Sequence, residues 1–437
     1  MNYGYNLPYK TVRIFCRIIM RLNYRKMIYL NRENLPTGDP VIYAPNHRNA
    51  VIDGLLLVQK DTKPIVFLAR SDIFKNKFVA KLLDFFHVIP VYRIRDGKDN
   101  LSKNDEIFKL AGDILKHRFP ICLFPEAVHS DKQQLLPLKK GIPRIALPTE
   151  EKQNFSLGMK IVPVTIYYTD IHGFRSDVYV NFCKPIDVAA YREQYLRNAN
   201  ESFNTLRNDM QTEMQREMPN ITNDSYYMFY KYCIDFNAKE IAQAKHPGKK
   251  DGLLLAVKDI VDRLDYMFDH EHAKFILVAN DLGRAQSTLH VYGIDTTDGI
   301  RTPKSALYLL TSCLLLLVGL PIAMFGFVNT LIPVVLYAYI RKKVTDTQYI
   351  SSLRVATALF TIPLFYMIQF LIVLISTHDI LYALMYVLLT AAAFFIGCTW
   401  YEKFKRTIRD LRVYRYKKHY LRDWESICKF TDWKEWF

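Results

Sequence analysis

Two patterns of hydrophobic positions divide the chain. Before residue 190, short apolar runs alternate with segments of helical periodicity, which is typical of an α/β domain. Residues 187–218 follow with the pattern of a polar helix, and residues 225–300 with that of a further, mostly helical region. The runs predicted to be strands are residues 40–44, 64–69, 88–92, 120–124, 160–167 and 177–183. The predicted fold class of this part is therefore α/β, with a helical extension after it.

The last third of the chain is much more apolar. Residues 305–340, 356–376 and 380–401 contain no charged side chain. A membrane-spanning helix needs about 20 apolar residues, so the second and third runs are each predicted to span a bilayer. The first run is too long for one span, and we predict a hairpin that turns near Gly326 to Asn329 rather than one tilted helix. Buried core helices are the alternative, which three uncharged runs of this length disfavour.

Basic residues in the connections predict the orientation of these segments. The stretches rich in lysine and arginine are residues 301–304, 341–354 and 402–437, whereas the two predicted turns hold neither residue. Positive charge marks the cytoplasmic side of a membrane protein. We therefore expect an even number of crossings, most simply two hairpins, over residues 305–401. The chain is predicted to be a multi-pass membrane protein whose first 300 residues and basic tail lie in the cytoplasm.

The net charge of +16 indicates an anionic partner. Most of the basic residues lie beside predicted membrane segments, so a lipid bilayer is expected and nucleic acid is not. Within residues 1–30, lysine and arginine recur at three- and four-residue intervals beside apolar side chains from Lys10 to Leu22. This pattern predicts an amphipathic helix in the membrane interface. A core helix with a solvated basic edge is the alternative.

A candidate catalytic pair lies in the segment APNHRNAVIDG, residues 44–54. Six positions separate His47 from Asp53, which on one continuous helix would place the two side chains about 120° apart. If His47 instead precedes the helix, the carboxylate of Asp53 can reach back to the imidazole, as capping carboxylates do. Histidine is well suited to take a proton from an alcohol near neutral pH.

Several familiar sites are missing from the sequence. The chain has no GxG, no GxxxxGK and no GxSxG motif, which argues against dinucleotide, P-loop and serine-hydrolase sites. His270 and His272 diverge on a helix and lack an evident third ligand, so no metal is expected.

Four further segments follow His47 in a fixed order: IPVYR at 89–93, FPEAVHS at 124–130, LKKGIPRIAL at 138–147 and IVPVTI at 161–166. Their order and spacing resemble the glycerolipid acyltransferases, the lysophosphatidate and glycerol-3-phosphate acyltransferase superfamily, over residues 30–190. The resemblance implies a domain with a central mixed sheet flanked by helices, which we place at residues 31–220. Residues 221–304 form an extension to which the resemblance gives no role.

The resemblance also implies a mechanism, in which His47 is the general base and Asp53 holds its other ring nitrogen. The acyl donor would be a thioester of coenzyme A or of an acyl-carrier protein, and the acceptor a glycerol phosphate, so no cofactor is expected. The residues implied for substrate binding are Arg93, Glu126, His129, Lys139, Lys140 and Arg144.

The sequence departs from the family pattern in two places. Five residues instead of four separate His47 from Asp53, a variant similar to that of some glycerol-3-phosphate-type members. Ala127, Val128 and His129 follow Glu126 where FPEGTRS is usual, and histidine is a weaker phosphate partner than arginine.

These patterns together predict a membrane-bound O-acyltransferase of phospholipid biosynthesis that acylates glycerol 3-phosphate or 1-acylglycerol 3-phosphate. Two alternatives stay open: the same chemistry on an amino-acid lipid or another lysophospholipid, and a non-catalytic membrane scaffold.

Overall fold

The computed structural model describes residues 7–58, 63–92, 98–128, 130–291, 304–419, 432–435 and 437. The chain forms two compact units. We call residues 1–218 with 344–355 the sheet unit, and residues 219–343 with 356–437 the helical unit.

One mixed sheet organises the sheet unit. Its strands are β1 Tyr24–Leu30, β2 Val41–Pro45, β3 Val66–Arg70, β4 Val88–Val91, β5 Ile121–Leu123, β6 Lys160–Tyr168, β7 Ser176–Phe182 and β8 Ile186–Asp187. The order is β1-β7-β6-β2-β5-β3-β4, with β8 paired to β6. Strand β6 is antiparallel to β7 and β8, and the other pairs are parallel. The predicted mixed sheet and all six predicted strands are confirmed.

Strand β1 was not predicted by the apolar pattern. Helix α1, Leu7–Asn23, ends where β1 begins, so the helical part of residues 1–30 is shorter than the segment predicted from the sequence. The basic residues of β1 conceal its strand character. Arg25 is held by the carboxylate of Asp177 on β7, through contacts of 2.9 Å and 2.7 Å.

Helices cover the sheet and complete its core. They are α2 Ala50–Val58, α3 Lys77–Phe85, α4 Lys98–Lys116, α5 Gly141–Glu151, α6 Arg192–Arg197 and α7 Ala199–Glu217. Fully buried Ile42, Ile121 and Ile161 of the sheet belong to the same apolar core as Leu115 of α4 and Met210 of α7. Burial of these side chains is the main source of stability in such a core.

The helical unit begins with three helices, which confirms the helical pattern of residues 225–300 as far as residue 291, the last one that the structure describes there. These are α8 Tyr227–Lys245, α9 Gly252–His270 and α10 His272–Val291. The apolar helices that follow are α11 Ala306–Val328, α12 Leu331–Arg341, α13 Ile350–Thr377 and α14 Ile380–His419. The first residues of α13, up to Val355, belong to the sheet unit.

Three of these helices, α11, α13 and α14, are long and apolar enough to cross a membrane. The turn between α11 and α12 falls at Asn329 and Thr330, next to its predicted position. Helix α12 has 11 residues, a length of about 16 Å that is too short to cross a bilayer by itself. The structure therefore has the turn of the first predicted hairpin, but not a second arm of spanning length.

Close backbone contacts join α11 to α14. A β-carbon at Gly326 would lie 2.5 Å from the backbone of Ala393, so only glycine fits there. The indole N–H of Trp400 donates to the carbonyl of Leu316 at 2.8 Å. Small residues and interhelical hydrogen bonds of this kind hold apolar helices together where hydrophobic burial contributes little.

Candidate active site

The structure brings His47 and Asp53 into contact. His47 follows β2, and α2 begins three residues later at Ala50. Because His47 lies before the helix, the aspartate of the first turn reaches back to it, the second of the two arrangements that the sequence left open. Nδ1 of His47 lies 2.9 Å from Oδ2 of Asp53.

Asp53 is fully buried and accepts hydrogen bonds from four donors. Besides His47, the backbone N–H groups of Arg48 and Asn49 donate to Oδ2 at 2.8 Å and 2.7 Å. The hydroxyl of Tyr168 donates to Oδ1. Burial, followed by the charge of Asp53, raises the pKa of Tyr168 well above its ordinary value, so this hydroxyl keeps its proton. Donors therefore surround both oxygens of the buried carboxylate.

This arrangement fixes the tautomer of His47. Oδ2 of Asp53 accepts from two backbone N–H groups and acts as an acceptor towards the ring as well, so Nδ1 of the ring carries the proton. Nε2 then holds the lone pair that can take a proton from a substrate hydroxyl. The ring stacks on Phe124 with centroids 4.0 Å apart, which fixes its plane. The side chain of His47 is 17% exposed, whereas Asp53 has no exposed surface.

Glu126 supports the histidine from the end of β5. Its Oε1 accepts the backbone N–H of His47 at 2.7 Å, and its Oε2 accepts that of Leu136 at 2.9 Å. Burial raises the pKa of Glu126 to about 7, against the opposing effect of these two bonds. Both oxygens of the carboxylate thus contact backbone that shapes the site.

The next residue, Ala127, lies where the family pattern has glycine. Its φ of 60° is in the left-handed region, where a β-carbon costs about 1 kcal/mol relative to glycine. The glycine of the usual FPEGTRS pattern would adopt this conformation without strain.

Arg48 joins residues 46–49, which we call the histidine loop, to residues 131–133. Its guanidinium donates to the carbonyl of Asp131 at 2.6 Å, to the carbonyl of Lys132 at 3.1 Å and to the side chain of Gln133. Arg48 is buried, so its guanidinium binds other parts of the protein rather than solvent.

The other predicted site residues are placed as follows. The backbone N–H of Lys139 donates to the carbonyl of Pro125 at 2.7 Å, which keeps the Lys139 segment beside Glu126. Lys140 directly precedes α5, and Arg144 is an exposed residue of its first turn. Arg93 and His129 lie outside the described residues.

Sequence reasoning missed Tyr168, Arg48 and Asn46. The side chain of Asn46 exchanges two hydrogen bonds with the backbone of Ile166 on β6, and Tyr168 ends the same strand. Tyr168 lies 115 positions from Asp53, so no local pattern could have joined them. Arg48 and Asn46 do adjoin His47, and their position beside a candidate base was the available signal.

Residues 26–167, which carry all of these contacts except that of Tyr168, match the family model described as Acyltransferase. Over these residues the chain is similar to the acyltransferases.

Curated proteins that are similar to this chain match parts of it. The 1-acyl-sn-glycerol-3-phosphate acyltransferase BAT2, chloroplastic, of Brassica napus is 30% identical over 31% of this chain and 36% of its own length. The 1-acyl-sn-glycerol-3-phosphate acyltransferase of Bacillus subtilis is 27% identical over 32% and 64%, respectively. Glycerol-3-phosphate O-acyltransferase 1 of Saccharomyces cerevisiae is 39% identical over 17% and 10%. The chain thus spans less than two thirds of each of these relatives.

Among solved structures, the 1-acyl-sn-glycerophosphate acyltransferase PlsC of Thermotoga maritima aligns with a TM-score of 0.35. Its sequence is 21% identical, and the alignment covers 48% of this chain and 77% of that one.

Proposed function

We propose that this chain is a membrane-bound O-acyltransferase. It transfers a fatty acyl group from a thioester of coenzyme A or an acyl-carrier protein to a hydroxyl of glycerol 3-phosphate or 1-acylglycerol 3-phosphate. The observation that carries the proposal is the contact of 2.9 Å between His47 and a fully buried Asp53, within a region that matches the acyltransferase family.

In the proposed reaction, Nε2 of His47 removes the proton of the acceptor hydroxyl as its oxygen attacks the thioester carbonyl. Asp53 stabilises the imidazolium that forms. The tetrahedral adduct then collapses: the carbon–sulfur bond breaks, and the leaving thiolate takes the proton from His47. No protein nucleophile is required, because a thiol with a pKa of about 8.5 leaves readily.

Positive charge near the site supports an anionic acceptor. Lys139 and Arg144 are exposed and follow Glu126 in the chain. Cations at these positions attract a phosphate group. We propose that Lys139, Lys140 and Arg144 contact the phosphate, together with Arg93 and His129, which the family resemblance implies. Glu126 serves chiefly to shape the histidine loop.

The membrane surface supplies the acyl-chain environment in this proposal. Helix α1 exposes Leu7, Ile14, Phe15 and Ile18, with side-chain exposures from 41% to 76%. Lys10 and Arg17 are exposed on the same helix. An apolar face with basic flanks suits the interface of an anionic bilayer.

Acyl transfer by membranes containing the full chain tests the proposed activity. Labelled palmitoyl thioesters of coenzyme A and of carrier protein are each offered with glycerol 3-phosphate or 1-acylglycerol 3-phosphate. We expect one acceptor to be labelled, and the rate to fall about 10²- to 10⁴-fold in His47→Ala.

The matched control is His117→Ala, which alters an exposed histidine beyond α4 and should leave the rate unchanged. Folded wild-type protein that labels neither acceptor would contradict the proposed substrates and favour another lipid acceptor.

The proposed orientation has a separate test. Single cysteines replace exposed Thr345, before α13, and exposed His378, between α13 and α14. An impermeant maleimide added to intact cells should label residue 378, and residue 345 only after the membrane is opened. The reverse labelling would contradict a cytoplasmic active site.

A further inference from the structure

The start of α13 and the stretch before it are built into the sheet unit. Residues 344–355 fold with this unit, although they lie between the apolar helix α12 and the apolar remainder of α13. Ser351 and Ser352 are buried, with 1% and 7% exposure. Buried hydroxyls and cations require partners, and those of this stretch are on the histidine loop and its neighbours.

Ser352 bonds the segment between His47 and Asp53. Its Oγ accepts the backbone N–H of Val51 at 3.2 Å and lies 3.4 Å from the carbonyl of Asn49, to which it donates. The first N–H groups of a helix have no partner within the helix. Ser352 therefore caps α2 as a serine at the N-cap would, from a position 301 residues away in the chain.

The two bonds of Ser352 enclose a strained residue. Ala50, between Asn49 and Val51, has a φ of 35°, a conformation that residues with a β-carbon rarely adopt. Such a conformation persists where the surrounding structure holds it in place. Ser352 holds the backbone on both sides of Ala50, in the turn that sets the direction from His47 to Asp53.

Ser351 and Arg354 fasten the same stretch to the turn after β6. The hydroxyl of Ser351 donates to the carbonyl of Ile171 at 2.8 Å, and this carbonyl also accepts from the side chain of Asn49 at 3.2 Å. Arg354 donates to the carbonyls of His172 and Gly173 at 3.2 Å and 3.1 Å. It also donates to the side chain of Asn23 at 2.5 Å.

We propose that Ser352 is a positioning residue for the His47–Asp53 pair, with Ser351 and Arg354 as its supports. Ser352 keeps the turn at Ala50 in the one conformation that lets Asp53 reach Nδ1 of His47. The inference rests on the proposed acyl transfer, because positioning is defined by the reaction that His47 performs. It makes the first turns of α13 a part of the catalytic domain.

Kinetics of the full chain in membranes test this role. We expect Ser352→Ala to lower kcat about 10-fold while KM for both substrates stays near its wild-type value, since the change acts on the reacting group. Ser352→Thr, which keeps the hydroxyl, should restore much of the rate. Ser287→Ala is the matched control, because this helical serine donates only to the carbonyl one turn earlier, Gly283. An unchanged kcat in Ser352→Ala would overturn the proposal.

The reactivity of His47 gives a readout that does not depend on acyl transfer. Diethyl pyrocarbonate modifies imidazoles, and the rate at His47 is followed by peptide mass spectrometry, with exposed His117 as the internal reference. We expect the ratio of the two rates to rise in Ser352→Ala, because a loosened turn frees the ring from Asp53. An equal ratio in both proteins overturns the positioning role. If the wild type transfers no acyl group, the proposed function fails, and this ratio still decides the role of Ser352.

Discussion

The two units of the molecule differ in which side chains they bury and which they expose. The sheet unit buries charge: Arg48, Asp53, Glu126 and Glu150 are at most 5% exposed, and each has hydrogen-bond partners. The helical unit exposes apolar surface. Of the most apolar stretches of α11, α13 and α14, only 17%, 6% and 22% are buried.

The difference shows that an uncharged run has two meanings in this chain. In β6, every residue after Lys160 is buried within the protein. In α13 an equally uncharged sequence leaves Leu364, Met367 and Ile372 more than half exposed. Soluble proteins rarely expose contiguous apolar surface of such extent. The contrast is expected if water surrounds one unit and lipid surrounds the apolar helices of the other.

Buried charge alone does not identify a catalytic residue within the sheet unit. Glu150 is as fully buried as Asp53 and accepts the backbone N–H groups of Leu157 and Met159 at 3.1 Å and 2.6 Å. Of these two carboxylates, only Asp53 also contacts an imidazole, that of His47. The partially exposed histidine beside a buried carboxylate is what distinguishes a site from a structural brace.

A lysine placed on each exposed apolar surface tests the contrast between the units most strongly. Met367 in α13 and Leu196 in α6 are 53% and 60% exposed. Lysine in the middle of a spanning helix costs about 3 kcal/mol, so Met367→Lys should markedly reduce outside labelling of a cysteine at position 378. Leu196→Lys should leave the same labelling unchanged. Equal labelling in both variants would show that lipid does not surround α13.

The buried carboxyl of Glu126 predicts a pH-dependent stability. Burial raises its pKa to about 7, so the unfolded chain loses this proton at lower pH than the folded protein. Below its ordinary pKa of 4.5, both states are protonated and the contribution to stability is complete. This contribution is lost as the pH rises towards 7, so the free energy of unfolding falls by about 2 to 3 kcal/mol over that range.

The comparison with Glu126→Gln isolates that contribution, because other titrating groups cancel. Unfolding of both proteins in detergent is measured from about pH 4 to about pH 8, a range that includes the titration of the carboxyl in both states. The free energy of unfolding of the wild type, minus that of the variant, should decline with pH and then level off. A difference that rises with pH would mean that the fold favours the ionised carboxylate.

The smallest expected effect concerns the donor from β6. Tyr168→Phe removes one of the four hydrogen bonds to Asp53, and a bond to a charged group contributes about 1.5 kcal/mol or more. We expect acyl transfer to slow about 10-fold. Tyr195→Phe removes a similar bond to a carboxylate, that of Glu151, away from the site, and should leave the rate unchanged. Equal rates in both variants would remove Tyr168 from the active site.

The sequence predicted the features that depend on local patterns. Apolar runs bounded by turns located β2 to β7. The residues alone left open whether α2 begins after His47, and the family resemblance implied the pairing with Asp53 that the structure contains. Strand β1 was not predicted because Arg25 and Lys26 interrupt its apolar pattern. The carboxylate that binds Arg25 lies 152 positions away in the chain.

Tertiary contacts account for the rest of what the sequence did not predict. The bonds from Tyr168 to Asp53 and from the backbone N–H of Val51 to Ser352 join residues 115 and 301 positions apart. The exposure of α13 depends on its surroundings, which periodicity does not specify. The roles of Arg93 and His129 stay predictions from the family resemblance.

The most direct test of the central claim, that Asp53 directs the proton transfer by His47, is single-turnover acyl transfer by Asp53→Asn in the full chain. Asparagine keeps the shape of the side chain but removes the charge that holds the proton on Nδ1. The account predicts that the single-turnover rate constant falls about 10³- to 10⁴-fold, while the substrate concentrations that give half of the maximal rate change little. A variant that transfers acyl groups at the wild-type rate would contradict it.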